Sequence, residues 1–216
     1  MDRATFTKGL AWTVLVNLIN KAVFPLVSII ISRLLGPGPL GAFAVLSTIL
    51  AVSEIFRDAG LTQTYLADQE MDERREGSYM VLAVIMALLP VAALVLMRGW
   101  LSEVLKLPEL NSGILIMAIA LICNGFATIP RAKLLRQAKM KEIALIDLAS
   151  GGTGILLTIG LVLAGFAFWA LVIQMVYCSA LTLFLSFRAA PVRQFIFESK
   201  ELRANFRRTA SLLAAN

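Results

Sequence analysis

Histidine is missing from this chain altogether, and only two cysteines occur in its 216 residues. The first absence removes HExxH zinc sites, His-ligated haem and every triad that uses an imidazole as base. Cys123 and Cys178 both fall inside apolar runs, so they read as packing residues and no disulfide framework exists. Charge is also scarce: Asp, Glu, Lys and Arg make up 16% of the chain, against about 25% in soluble domains. No nucleophile–base pairing and no repeated Asp motif of a lipid-phosphate transferase stands out. An enzyme is therefore not expected, and neither a metal nor a cofactor is called for.

Apolar residues take up the remainder, at 59% of the sequence. Runs of about twenty, each long enough to cross a hydrocarbon core of roughly 30 Å, recur near 9–33, 41–66, 78–98, 111–130, 143–165 and 167–188. The first is too long for a signal peptide's apolar region and lacks a small-x-small cleavage site, so it counts as a helix. Of the twenty Lys and Arg residues, fifteen lie in alternate connections: the N-terminus, 67–77, 131–142 and the tail after Phe187. The intervening connections hold only Arg33, Arg98 and Lys106, while Lys21 and Arg57 sit within spans. Basic residues stay on the cytoplasmic side, which predicts both termini inside. The acidic stretch Asp68, Glu70, Asp72, Glu73 and Glu76 does not oppose this, because acids contribute little to topology. The net charge of +6 thus faces anionic headgroups, and no nucleic-acid partner is expected. The expected fold is an all-α membrane protein, a six-transmembrane-helix bundle in a bacterial inner membrane.

Local signals refine the layout. Ser32–Pro39 is rich in Gly and Pro and demands a tight external turn. Pro90 predicts a kink in the third span, and Trp100–Leu110 a short external segment. The fourth span is expected to end at Pro130, with Arg131–Lys141 forming an amphipathic helix on the cytoplasmic surface. Gly151, Gly152, Gly154 and Gly160 would let the fifth span approach a neighbour closely. Gly165-Phe166-Ala167 makes a minimal turn into the sixth. Residues 1–190 are thus expected to form the membrane lobe. Residues 191–216 are expected to be a basic amphipathic cytoplasmic segment leading into a truncated seventh helix, opened by Phe206–Ala215.

Ionisable residues at bilayer depth cost about 2.5–3.5 kcal/mol each on insertion scales, so they need a reason. Lys21 lies near the middle of the first span, with Asn17 and Asn20 on the same face. Glu54 lies near the middle of the second, followed by Arg57 and Asp58 at i+3 and i+4. Antiparallel neighbours would bring Lys21 opposite Glu54. Two readings stay open: a charge-neutral knot locking the two helices, or a hydrated path for substrate or coupling ion built from Lys21, Glu54, Arg57, Asp58, Asn17 and Asn20. Asp147 reads as a residue reaching water at the end of the fifth span, and Asn124 as a helix–helix hydrogen bonder.

Several stretches, taken in order, resemble the oligosaccharide flippase (polysaccharide biosynthesis protein, Wzx-like) family of the multidrug/oligosaccharidyl-lipid/polysaccharide exporter superfamily. They are Ser32-Arg33-Leu34-Leu35-Gly36-Pro37, Leu40–Val45, Phe56-Arg57-Asp58-Ala59-Gly60-Leu61, Ala144–Leu148, and Phe168-Trp169-Ala170-Leu171-Val172. The resemblance implies translocation of undecaprenyl-pyrophosphate-linked oligosaccharide for exopolysaccharide, O-antigen or capsule, by alternating access between two six-helix lobes. This chain matches the N-terminal lobe of that plan. Implied partners are the lipid-linked oligosaccharide, membrane lipids, a second lobe, and polysaccharide polymerase or glycosyltransferases. A multidrug exporter of the same superfamily and a non-transporting scaffold for polysaccharide assembly are the alternatives.

Overall fold

The computed structural model of the protein describes residues 33, 35–68 and 71–192. Every regular element among them is a helix. Helix α1 (Pro37–Asp58) starts with Pro37 and Pro39 in its first turn, where a missing N–H is no loss. It stops because Ala59 and Gly60 both take left-handed backbone, φ 36° and 83°. The chain then resumes as the short α2 (Leu61–Ala67). Helix α3 (Glu73–Val104) is capped by Asp72, whose side chain accepts the Glu73 N–H at 2.7 Å, with Glu73 and Glu76 favourably placed at the positive end of the dipole. Helices α4 (Glu109–Arg136), α5 (Met140–Leu163) and α6 (Ala167–Ala189) follow. Gly165 at φ 89° permits the tight α5–α6 turn.

Five stretches are long and apolar enough to cross a membrane: Pro37–Ala67 and the helices α3 to α6. Helices suit that setting because each satisfies its own backbone where no water can. The expected first span, 9–33, lies outside the described residues apart from Arg33 at its end, as does the tail from 193. Leu89, Leu96, Leu156, Leu163 and Ile55 are all well over half exposed, as side chains facing lipid are.

Helix α4 is the central element, packing against all five of the others. Buried residues make up 56% of its most apolar window, against 33% or less in the other spans. Toward its N-terminal end, Leu110, Ile114, Met117 and Leu121 meet α1 through Leu46 and Leu50, and α6 through Phe168 and Val172. Toward its C-terminal end, Ile129 and Ala132 join Leu61, Tyr65, Tyr79 and Met80.

Two expectations change here. Helix α4 does not end at Pro130 but continues to Arg136, and no separate surface helix forms over Arg131–Lys141, which is the last turns of α4, a turn, and the start of α5. Packing overrides the proline: Ala132 and Leu134 are buried at 1% and 0% exposure, and they hold the extra turns in place. Likewise α3 runs on to Val104, so the expected external segment Trp100–Leu110 shrinks to a connection over 105–108.

Close approach falls on one of the expected glycines, Gly154, and on one that was not expected, Gly125. Nothing lies within 4 Å of a Cβ built on Gly152 or Gly160, whereas one on Gly154 would strike the Cys178 sulfur of α6. A Cβ on Gly125 would sit 2.5 Å from that of Ala87, so α3 and α4 touch where the sequence drew no attention. Gly125→Ala is expected to lower stability by about 1–3 kcal/mol through overpacking. Gly152→Ala should leave thermal unfolding in detergent unchanged or slightly improved; equal losses at both would refute this contact.

Candidate functional site

Polar side chains inside the membrane-spanning region converge where α1 crosses α4. Glu54 and Arg57 share one face of α1 at i and i+3, and the Arg57 Nη2 lies 2.9 Å from Glu54 Oε2. Helix α4 supplies the rest. Asn124 Nδ2 donates to Glu54 Oε1 at 2.6 Å, while Arg57 Nη1 donates to the Asn124 carbonyl at 3.3 Å and to the Thr128 hydroxyl. The Thr128 hydroxyl in turn donates to the Asn124 carbonyl at 2.9 Å. Asn124 and Thr128 are four apart, hence on one face of their helix. The cluster is electroneutral and crosses from one helix to the other through three residues of opposite or complementary polarity around one guanidinium.

Arg57 makes three hydrogen bonds and is largely enclosed. Its side chain is 11% exposed and that of Glu54 30% exposed, so the carboxylate is the more accessible partner. The Arg57 Nε–H is buried without an acceptor among the described residues. A guanidinium with donors to spare beside an accessible carboxylate can do two things chemically. It can hold two helices together, or it can exchange its carboxylate for another anion.

The other expected site residues are placed differently. Asp58 stands apart from the cluster and accepts the Thr62 hydroxyl at 2.6 Å, across the α1–α2 break. Lys21, Asn17 and Asn20 lie outside the described residues, and with them the expected approach of Lys21 to Glu54. Asn124 makes the interhelical bond expected of it; Thr128 was not anticipated, although its spacing from Asn124 within an apolar run was the available signal.

A second polar assembly occupies the basic end of the bundle. The buried Glu76 carboxylate lies 2.8 Å from Lys133 Nζ and accepts the Tyr65 hydroxyl at 3.3 Å. Lys133 also donates to the Pro191 carbonyl at 3.1 Å. Arg136 donates to the Tyr65 carbonyl at 3.3 Å and stands over its ring, which meets Tyr79 edge to face. Asp147 is paired, not simply solvated: Arg131 grips both of its oxygens at 2.8 and 3.1 Å, joining α4 to α5.

The chain belongs to the polysaccharide biosynthesis protein family, whose model matches residues 30–216. It is also similar to the succinoglycan biosynthesis transport protein ExoT of Rhizobium meliloti (strain 1021), with 24% identity over 208 residues. That alignment covers 94% of this chain and 42% of the relative, so the chain spans less than half the length of the protein it matches. No solved structure matches it significantly. Family and fold together define a multi-pass membrane protein of the polysaccharide biosynthesis family.

Proposed function

We propose that this chain forms a six-span lobe of a flippase that carries an undecaprenyl-pyrophosphate-linked oligosaccharide across the bacterial inner membrane, with both termini cytoplasmic. The observation that carries the reading is the family match over most of the chain, together with a relative named for transport in succinoglycan biosynthesis. The intramembrane cluster supports it, because ionisable groups at bilayer depth mark ligand paths more often than packing. Arg57 is the cation for a phosphate, Glu54 the carboxylate displaced from it, and Asp58 with Lys21, Asn17 and Asn20 the polar lining. A second lobe would supply the opposing face that alternating access needs.

The test is a strain lacking the gene. It should lose surface polysaccharide and accumulate lipid-linked repeat units on the cytoplasmic side of the membrane, and the intact gene should restore both. Normal surface polysaccharide, with export of amphipathic cations lost instead, would favour a multidrug exporter and overturn the proposal.

A further inference from the structure

Two depressions share one seam between α4 and α6. At the basic end is a polar pit of about 240 Å³ lined by Glu73, Glu76, Lys133, Gln137 and Lys139, closed on one side by Ala189–Pro191. Further into the bundle's apolar region is a slot of about 280 Å³ lined by Phe126, Ala180, Leu183, Phe184 and Phe187. Phe126, Lys133 and Gln137 stand at i, i+7 and i+11, one stripe of α4. Ala180, Phe184 and Phe187 follow the same rule along α6. Pit and slot therefore open on the same face, one above the other.

Length and charge together select an occupant. From Ala189, where α6 ends, to Ala180 the helical rise is roughly 14 Å, about half of a hydrocarbon core of ~30 Å. That is the reach of one acyl chain in one leaflet, and far short of a polyprenyl tail. The pit carries both signs. Glu73 makes no ion pair among the described residues, and Lys139 is only loosely held, 3.7 Å from Glu142. A pyrophosphate would meet carboxylates here, and a purely anionic headgroup would leave Glu73 unmatched.

We propose that this seam binds a zwitterionic aminophospholipid. Its ammonium lies against Glu73, its phosphate against Lys139 and the Gln137 amide, and one acyl chain lies over Phe184 and Phe187. The site is separate from the Glu54–Arg57 cluster and does not depend on the chain being a flippase.

The experiment places an indole in the slot by F184W in the full chain, reconstituted in phosphatidylcholine bilayers. Brominated phosphatidylethanolamine, phosphatidylcholine or phosphatidylglycerol is added at equal mole fraction, and the quenching of wild type is subtracted. Phosphatidylethanolamine is expected to be enriched at the indole about threefold to fivefold, as partly exposed ion pairs allow. Adding E73Q should bring that ratio to one while quenching by phosphatidylcholine persists, which also shows the slot intact. Equal quenching by all three lipids, preference for phosphatidylglycerol, or displacement of the lipid by a polyprenyl pyrophosphate would each overturn the proposal.

Discussion

Arg57→Met with Glu54 left in place is expected to lower the stability of the folded chain by about 3 kcal/mol, the low end for breaking a buried pair, since Glu54 keeps some access to water. The Asn124 amide would then be the carboxylate's one remaining hydrogen-bond partner among the described residues. Glu54→Leu should cost a comparable amount, leaving the guanidinium with only the Asn124 carbonyl and the Thr128 hydroxyl, both neutral acceptors. The double variant E54L/R57M should recover most of the loss, because two apolar side chains of similar volume need no desolvation. Thermal unfolding in detergent, read by circular dichroism, measures all three. The double variant also separates the two roles open to this cluster. On the proposed path it folds but fails to restore surface polysaccharide to a strain lacking the gene. Full restoration by E54L/R57M would reduce the cluster to a lock between α1 and α4, and would withdraw Arg57 as a phosphate ligand.

Much of the fold was legible because lipid leaves the backbone few options. Hydropathy marks where a chain can cross, and in a bilayer crossing means a helix. Five of the expected runs fall on helices of the described residues. The sequence was a poorer guide to how neighbouring helices are rotated about their axes. Periodicity puts Glu54 and Arg57 on one face but cannot say that Asn124 and Thr128, some seventy positions later, turn toward them. The same blindness explains the glycines: Gly152 and Gly125 are alike in sequence terms, and only packing makes one idle and the other a contact. Pro130 misled for a related reason. A local breaker rule competes with burial of Ala132 and Leu134 against other helices, and burial prevails.

Glu76 was the least legible residue of all, since it belongs to an acidic, loop-like stretch and yet is 6% exposed. Its partner Lys133 lies 57 residues on. The two halves of this pair are not equivalent, which makes a sharp expectation. Lys133→Met strands a buried carboxylate with the Tyr65 hydroxyl as its remaining donor and frees the Pro191 carbonyl. A loss of about 3–4 kcal/mol should follow. Glu76→Gln leaves an ammonium that is 24% exposed and sits on a flexible stem. Lys133 can then swing its charge to the headgroup region while keeping its methylenes packed, so the loss should be nearer 1 kcal/mol, about that of one hydrogen bond. Tyr65→Phe should cost a similar amount, and K133M/Y65F should exceed the sum of its parts because both donors to one carboxylate are gone. Equal losses for K133M and E76Q in thermal unfolding would mean that water reaches Glu76 in the working protein, and that the ties from α3 to α4 and to the segment after α6 are made at the surface instead of within the bundle.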